Sequence, residues 1–296
     1  LRPGTLAVHQ VVGMGVAARL AALHRESERA RLMALRDRCI ARLEAIGGVL
    51  VHGREQAAPH IVNVSFIGVH GDALADALPG VAFSQGSACH ARDGRPSHVL
   101  KALGLPDGLA LASLRLSFSR LTRDGDVTEA VSRIEAAVAG LRRQSPVWRA
   151  HQAGAELQAL YRWRAPGGPP GVAAAADGRA SWDGVGRAGA VNDGALVQAG
   201  LRVDRQRRVA DCELEWYGCS TLGLAVEWLQ PRLIGRSVED PDWPGARQLA
   251  QALAAEPERL GALLVLEDAL AAARNDVLCR VSLQHSEGGV HDDRSD

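Results

Sequence analysis

Two cysteines stand in surroundings that could make a thiol reactive. The first is Cys89, within "FSQGSACHARDG", residues Phe83 to Gly94. Small residues (Ser84, Gly86, Ser87, Ala88) lead up to it, and His90, Arg92 and Arg95 follow. A thiol attacks as the thiolate, so a nucleophilic cysteine needs access and a nearby positive charge or base. A glycine-bearing loop supplies the access, and His90 and Arg92 supply the charge. The same features also fit an idle cysteine beside a chance histidine. The second is Cys219, in "WYGCSTLGLAVEWL". A strand ending at Tyr217-Gly218 and small residues opening a helix place this thiol at a helix N-terminus, where free N–H groups and the helix dipole lower a thiol's pKa. Cys212, on a strand, and Cys279, near the end of the last helix, read as packing residues. Together with Cys39 the cysteines are five, scattered and odd in number. That argues against a disulfide framework and for reduced thiols in a cytoplasm.

One compositional fact limits the chemistry. Of 34 basic residues only Lys101 is a lysine, so the chain owns a single ε-amino group. The 34 bases balance 34 acids, and no bulk field favours nucleic acid or an anionic membrane. No apolar run approaches the roughly 20 residues that span a bilayer. Hydrophobic content of 47% and charged content of 23% are those of a soluble globular protein, and 296 residues suffice for one large domain or two ordinary ones.

The elements that must position these thiols follow from periodicity. Apolar residues recur at three- and four-residue spacing from Val11 to Ile46, predicting one long helix stopped by Gly47-Gly48. "HIVNVSFIGV" alternates as a strand, "GDALADALPG" is a short helix and "VAFS" a short strand. After the Cys89 loop come the helix "PSHVLKALGL", the strand "ASLRLSFSR", and a helix capped by Thr122 that runs through "TEAVSRIEAAVAGL". This α-β-α-β-loop-α-β-α order predicts an α/β domain over residues 1–157. "RAPGGPPGVAAAADGRASWDGVGRAG" has no periodicity and reads as a linker, residues 158–188. Two strands and three helices then predict an α+β domain over 189–282, with a disordered tail at 283–296.

Several segments of the first domain resemble the C-terminal half of cysteine desulfurases: "LRPGTLAVHQVVGMGVA", "PHIVNVSFIGVHGDAL", "FSQGSACHARDGRPSHVLKALGL", "SLRLSFSRLT" and "SPVWR". They stand in that family's order and spacing. The resemblance implies the small C-terminal domain of a fold-type I transferase dependent on pyridoxal phosphate, present incompletely. In that family sulfur leaves L-cysteine and is parked as a persulfide on a loop cysteine, which makes Cys89 the expected catalytic nucleophile. A carrier that loads in a buried site and delivers outside belongs on a flexible tether. Arg115 in "SLRLS" matches the arginine that clamps the substrate carboxylate, a task suited to a planar bidentate fork. Thr5 in "RPGTL" matches a cofactor-phosphate contact, usually made in the neighbouring subunit's site of a homodimer. His98 and Lys101 fall where the family carries assorted residues, and no role is expected of them. The family's Schiff-base lysine and most cofactor contacts belong to an N-terminal half whose motifs the sequence does not contain. With Leu1 in place of an initiating methionine, the expectation is a piece of a longer desulfurase, or a split product that needs a partner.

The second domain resembles the U-type iron–sulfur scaffold proteins in "YRWRAPGG", "LRVDRQRRVADCELEW", the "YGC" turn and "LVLEDALAAA". Such scaffolds use three cysteines assisted by an aspartate. Here Asp193 replaces the first cysteine, Ala195 the aspartate, and Gly261-Ala262 the His-Cys pair. Cys219 and Asp193 alone fall short of the four ligands zinc takes, so neither a metal nor an iron–sulfur cluster is expected. The expected function is sulfur transfer from L-cysteine for iron–sulfur cluster assembly, with Cys219 as candidate sulfur acceptor, since fusing donor to acceptor raises effective concentration. The expected partners are L-cysteine and scaffold or sulfur-acceptor proteins, with neither nucleic acid nor membrane. The alternative is an inactive docking module of the same machinery.

Overall fold

The structure is a computed structural model that describes residues 4, 6–55, 57–85, 96–170 and 181–287, with residues 281–287 described by backbone alone. Helix α1 (Val8–Ala45) begins the chain and ends at Gly47 and Gly48, both at positive φ, where glycine is at home. Strands β1 (Val49–His52), β2 (Ile61–Phe66) and β3 (Ser113–Ser117) form an antiparallel sheet in that order. Between β2 and β3 lie the short helices α2 (Gly71–Asp76), α3 (His98–Ala102) and α4 (Asp107–Leu111), and α5 (Asp124–Arg142) follows β3. Alternate residues of β2 and β3 (Val62, Val64, Phe66, Leu114, Leu116) meet Leu35, Cys39, Ile40 and Leu43 of α1 and Val131, Ile134 and Val138 of α5. One sheet face thus carries the core.

Several expectations are corrected here. The long helix, the β2 strand and α5 fall where periodicity predicts, but β1 and α4 lie in stretches too short to show a period. "VAFS" is not a strand: only Ser84 bridges to Arg115. The α5 cap is not Thr122, whose hydroxyl accepts from Ser119 N–H at 2.9 Å. Asp126 instead receives the Arg123 N–H at 2.8 Å. The first half of α1 runs clear of the core, leaving Val8, Val12, Leu20 and Leu23 exposed.

Helices α6 (Pro146–Gln152) and α7 (Leu157–Leu160) lead into the second unit. There β4 (Gly184–Ala190), β5 (Ala195–Val203) and β6 (Val209–Tyr217) form an antiparallel meander backed by α8 (Ser220–Leu233), α9 (Ala246–Ala252) and α10 (Leu260–Glu287). The unit has three strands, and β4 begins within the stretch read as a linker. Its glycines disguised it, and packing demands them. A Cβ on Gly186 would stand 1.9 Å from the Ala269 carbonyl oxygen, and one on Gly184 2.3 Å from that of Ala273, so α10 lies directly on the β4 backbone. The other end of that stretch is also built in, with Tyr161 and Trp163 buried. Helix α10 continues to Glu287, beyond the expected start of the tail, and residues 288–296 lie outside the described ones.

The two units share a core. Ile67, Leu109, Val147 and Leu160 of the first pack with Tyr161, Trp163, Val191, Leu196 and Tyr217. The Tyr161 hydroxyl accepts from Gly68 N–H at 3.3 Å, and burial raises its pKa. The carboxylate of Glu215, buried on β6, pairs with Arg149 of α6. Trp216 donates its backbone N–H to the Gln144 carbonyl at 2.8 Å and its indole N–H to the Gln144 side chain at 3.1 Å.

Candidate functional site

Cys89, with His90 and Arg92, and Thr5 lie outside the described residues, so the site is built from what flanks them. The segment entering the 86–95 stretch is held at two points. Ser84 pairs with Arg115 on the open edge of β3, N–H to carbonyl at 3.0 Å and 2.8 Å in the two directions. Gln85 donates its side-chain amide to the Gly71 carbonyl at 2.7 Å.

Arg115 is exposed, because alternation on β3 turns it away from the core that takes Leu114 and Leu116. Its guanidinium donates to the Ser84 hydroxyl at 3.3 Å, and among the described residues it makes no ion pair. Directly across the sheet stands Asn63, whose amide oxygen is buried without a hydrogen-bond partner among the described residues. A guanidinium exposed on a strand edge can receive a carboxylate through two parallel hydrogen bonds.

Lys101 lies on α3 with its ammonium 3.1 Å from Asp107 and half exposed. A Schiff base needs a lysine amine held beside the cofactor, and this one is ion-paired at the surface. Lys101, the chain's sole lysine, therefore does not fit the Schiff base of pyridoxal phosphate.

Cys219 is the N-cap residue of α8, the helix N-terminus its sequence predicted, but it is 4% exposed. It is buried with the second unit's own core, and the residues beside it meet α2. Ser220 donates its hydroxyl to Asp76, and Arg259 donates to Asp72 at 2.7 Å, a hydrogen bond that raises the pKa of Arg259. His70 caps α2, its Nδ1 accepting from Asp72 N–H at 3.3 Å, and its ring stands edge-on to Tyr217 at 5.5 Å between centroids. Burial lowers the His70 pKa, opposed by Asp72 and reinforced by Arg259.

Asp193 ends a short 3-10 turn (Val191–Asp193) and is paired with Arg164 at 3.1 Å, which occupies the carboxylate. Among the described residues no three His, Cys, Asp or Glu side chains are grouped to hold a metal ion. Cys212 is buried in the second unit's core, as a packing residue should be. Cys279 is a correction: it is exposed, because α10 past Val277 presents this side to solvent. Cys39 is buried, and loss of solvation pushes its thiol up to about 11, so it is no nucleophile.

Sequence reasoning missed the α2 hub. His70, Asp72 and Asp76 read as part of an ordinary amphipathic helix, and Arg259 as one arginine among many. The capping pattern His-Gly-Asp was the only local signal, and it says nothing of what docks there.

The aminotransferase class-V family profile matches residues 1–129. The cysteine desulfurase IscS of Edwardsiella ictaluri (strain 93-146) is 43% identical over 166 residues, 56% of this chain and 41% of its own. That of Pseudomonas aeruginosa (strain LESB58) is 41% identical over 166 residues, and that of Methylococcus capsulatus (strain ATCC 33009 / NCIMB 11132 / Bath) 43% identical over 166, each covering 56% of this chain and 41% of the relative. The chain thus spans about two fifths of the length of the curated relatives it matches. Among solved structures, a NifS-like protein from Rickettsia africae ESF-5 covers 47% of this chain and 36% of its own, at a TM-score of 0.41 and 20% identity, too loose a likeness to assign a fold. No helix among the described residues is long and apolar enough to cross a membrane. Residues 1–129 match the aminotransferase class-V family, and the cysteine desulfurase relatives support a cysteine desulfurase region in this part of the chain.

Proposed function

We propose that this chain takes part in sulfur transfer from L-cysteine for iron–sulfur cluster assembly, with Cys89 as the thiol that accepts sulfur and Arg115 as the clamp for the substrate carboxylate. The observation that carries the reading is the Ser84–Arg115 pair: the segment leading to Cys89 is hydrogen-bonded to the strand that bears an exposed guanidinium with no ion pair among the described residues. Substrate held there by its carboxylate would lie near the root of the Cys89 segment. The Cys89 thiolate would attack the sulfur of L-cysteine: the S–S bond forms as the C–S bond breaks, and Cys89 is left as a persulfide. The bonding pair stays with the carbon skeleton, which takes up a proton and leaves as alanine; pyridoxal phosphate, if bound, would supply the electron sink this needs. Thr5 is the proposed contact to the cofactor phosphate, made across a homodimer.

Pyridoxal phosphate follows from the desulfurase resemblance, but Lys101 does not fit its Schiff base, so the amine must be supplied from outside these 296 residues. The second unit is proposed as a scaffold-like domain and Cys219 as the first acceptor of sulfur from Cys89. Because Cys219 is buried in the second unit's core, that handover requires its surroundings to open.

A second reading, an inactive docking module, is favoured by one observation, the surface ion pair of the sole lysine. The test supplies L-cysteine, pyridoxal phosphate and the lysine-bearing remainder of a cysteine desulfurase, and follows sulfur bound to this chain. Under the proposal, the wild-type chain acquires sulfur, Cys89→Ser acquires none, and Cys219→Ala loads Cys89 but passes nothing on. Equal sulfur on wild type and Cys89→Ser would reject the catalytic reading, and unchanged handover in Cys219→Ala would reject the acceptor role. No sulfur on any of them leaves the docking module as the better account.

A further inference from the structure

Helix α2 is touched from two sides. On one side the second unit grips it: Arg259 on Asp72 at 2.7 Å, Ser220 on Asp76, Tyr217 against the capping His70. On the other, its first carbonyl, that of Gly71, receives the Gln85 amide at 2.7 Å. Gln85 adjoins Ser84, which is paired to Arg115 through two backbone hydrogen bonds and its hydroxyl. The helix has little freedom of its own. A Cβ on Gly71 would lie 2.3 Å from the Leu111 carbonyl oxygen, so its N-terminus is pressed against the end of α4. A short helix so held transmits a displacement as a rigid body rather than absorbing it.

We propose that the second unit is a brace for the substrate end of the site: Arg259 is a positioning residue that, through Asp72, α2 and Gln85, fixes the Ser84–Arg115 pair and with it the guanidinium of Arg115. The fusion therefore does more than bring an acceptor near a donor. It gives the second unit a hold on the strand edge that reads the carboxylate, so that a partner loosening the contact on α2 would loosen Arg115 as well.

The role assigned to Arg115 rests on the proposed sulfur-transfer reading, but the brace can be tested without it. Hydrogen exchange of the whole chain, read on peptides covering Ser84 and Arg115, needs neither L-cysteine nor a cofactor. Arg259→Gln and Gln85→Ala are each expected to speed exchange at these two amides about threefold, in keeping with the loss of a half-exposed ion pair or one hydrogen bond. Peptides from β5 keep their wild-type rate. Because the links lie in series, the double variant is expected to exchange about threefold faster, not about ninefold. Asp72→Asn removes the other end of the ion pair and should give the Arg259→Gln pattern. The brace is overturned if Arg259→Gln and Asp72→Asn leave Ser84 and Arg115 unchanged while Gln85→Ala speeds them, or if the two effects multiply. It is equally overturned if both brace variants accelerate β5 as much as β3, since the coupling would then not be local.

Discussion

Replacing Arg149 by alanine strips the first unit's cation from two carboxylates of the second. The pair with Glu213, at 3.4 Å, joins side chains 43% and 42% exposed, and such a pair contributes about 0.5 kcal/mol. The pair with Glu215 differs, because that carboxylate is only 3% exposed. Removing one partner of a buried ion pair costs about 3–5 kcal/mol, since the other charge is left out of water. Two facts lower the figure here. Arg149 is itself nearly half exposed, so solvent screens the pair, and Glu215 has an interaction besides this ion pair. About 2 kcal/mol remains, and about 2.5 kcal/mol with Glu213. Urea unfolding followed by tryptophan fluorescence suits the test, since Trp148, Trp163 and Trp216 lie at or beside the shared core. With a denaturant slope near 3 kcal/mol per molar, the upper end for small proteins, the midpoint should fall by about 0.8 M. Wild type should unfold in one transition. A change below about 0.5 kcal/mol, or two separated transitions in the wild type, would refute the view that the units form one cooperative body.

Further expectations concern glycine packing and acid. Gly186→Ala should destabilise by about 3 kcal/mol, because moving the Ala269 carbonyl from 1.9 Å to an ordinary 3.4 Å requires α10 to back away by about 1.5 Å. Gly13→Ala, on the exposed part of α1 with open space around it, should instead stabilise by about 0.5–1 kcal/mol, and thermal melts of the two variants should bracket the wild type. Burial lowers the pKa of His70 in the folded protein from its ordinary 6.5, so the unfolded chain binds the proton more readily. Its contribution is therefore complete above pH 6.5 and is lost as the pH falls from there through the lower folded value. Protonation also removes the Nδ1 acceptor that caps α2. His70→Asn, which keeps a capping oxygen without titrating, should flatten the loss of stability between about pH 7 and 5; an unchanged slope would remove His70 from the account.

How much of this was legible in the sequence depended on whether the signal was local. Long periodic segments such as α1, α5 and α8 announced themselves, as did the alternation that exposes Arg115 between Leu114 and Leu116. The helix N-terminus at Cys219 was readable from "YGCS", but its burial was not, because it comes from a core assembled from β5, β6 and α8 to α10, residues far apart in the chain. Strand β4 was missed because Gly184, Gly186 and Gly189 look like linker composition, whereas the first two are there to let α10 approach the backbone. Asp193 could be placed at the first-ligand position by comparing patterns, yet its pairing with Arg164 is a contact no pattern reveals. The bracing of α2 was illegible for the same reason, since each of its residues is unremarkable until the fold brings them together.

The central claim, that Cys89 receives sulfur from L-cysteine, is tested most directly by mass spectrometry of the Cys89 peptide. The whole chain would be mixed with L-cysteine, pyridoxal phosphate and the lysine-bearing remainder of a cysteine desulfurase, then alkylated to trap persulfides. The account predicts one added sulfur atom on the peptide containing Cys89, lost when Arg115 is replaced by alanine and absent from the peptide of the buried Cys39. A Cys89 peptide without added sulfur, while the same mixture loads sulfur onto another cysteine of the chain, would contradict it.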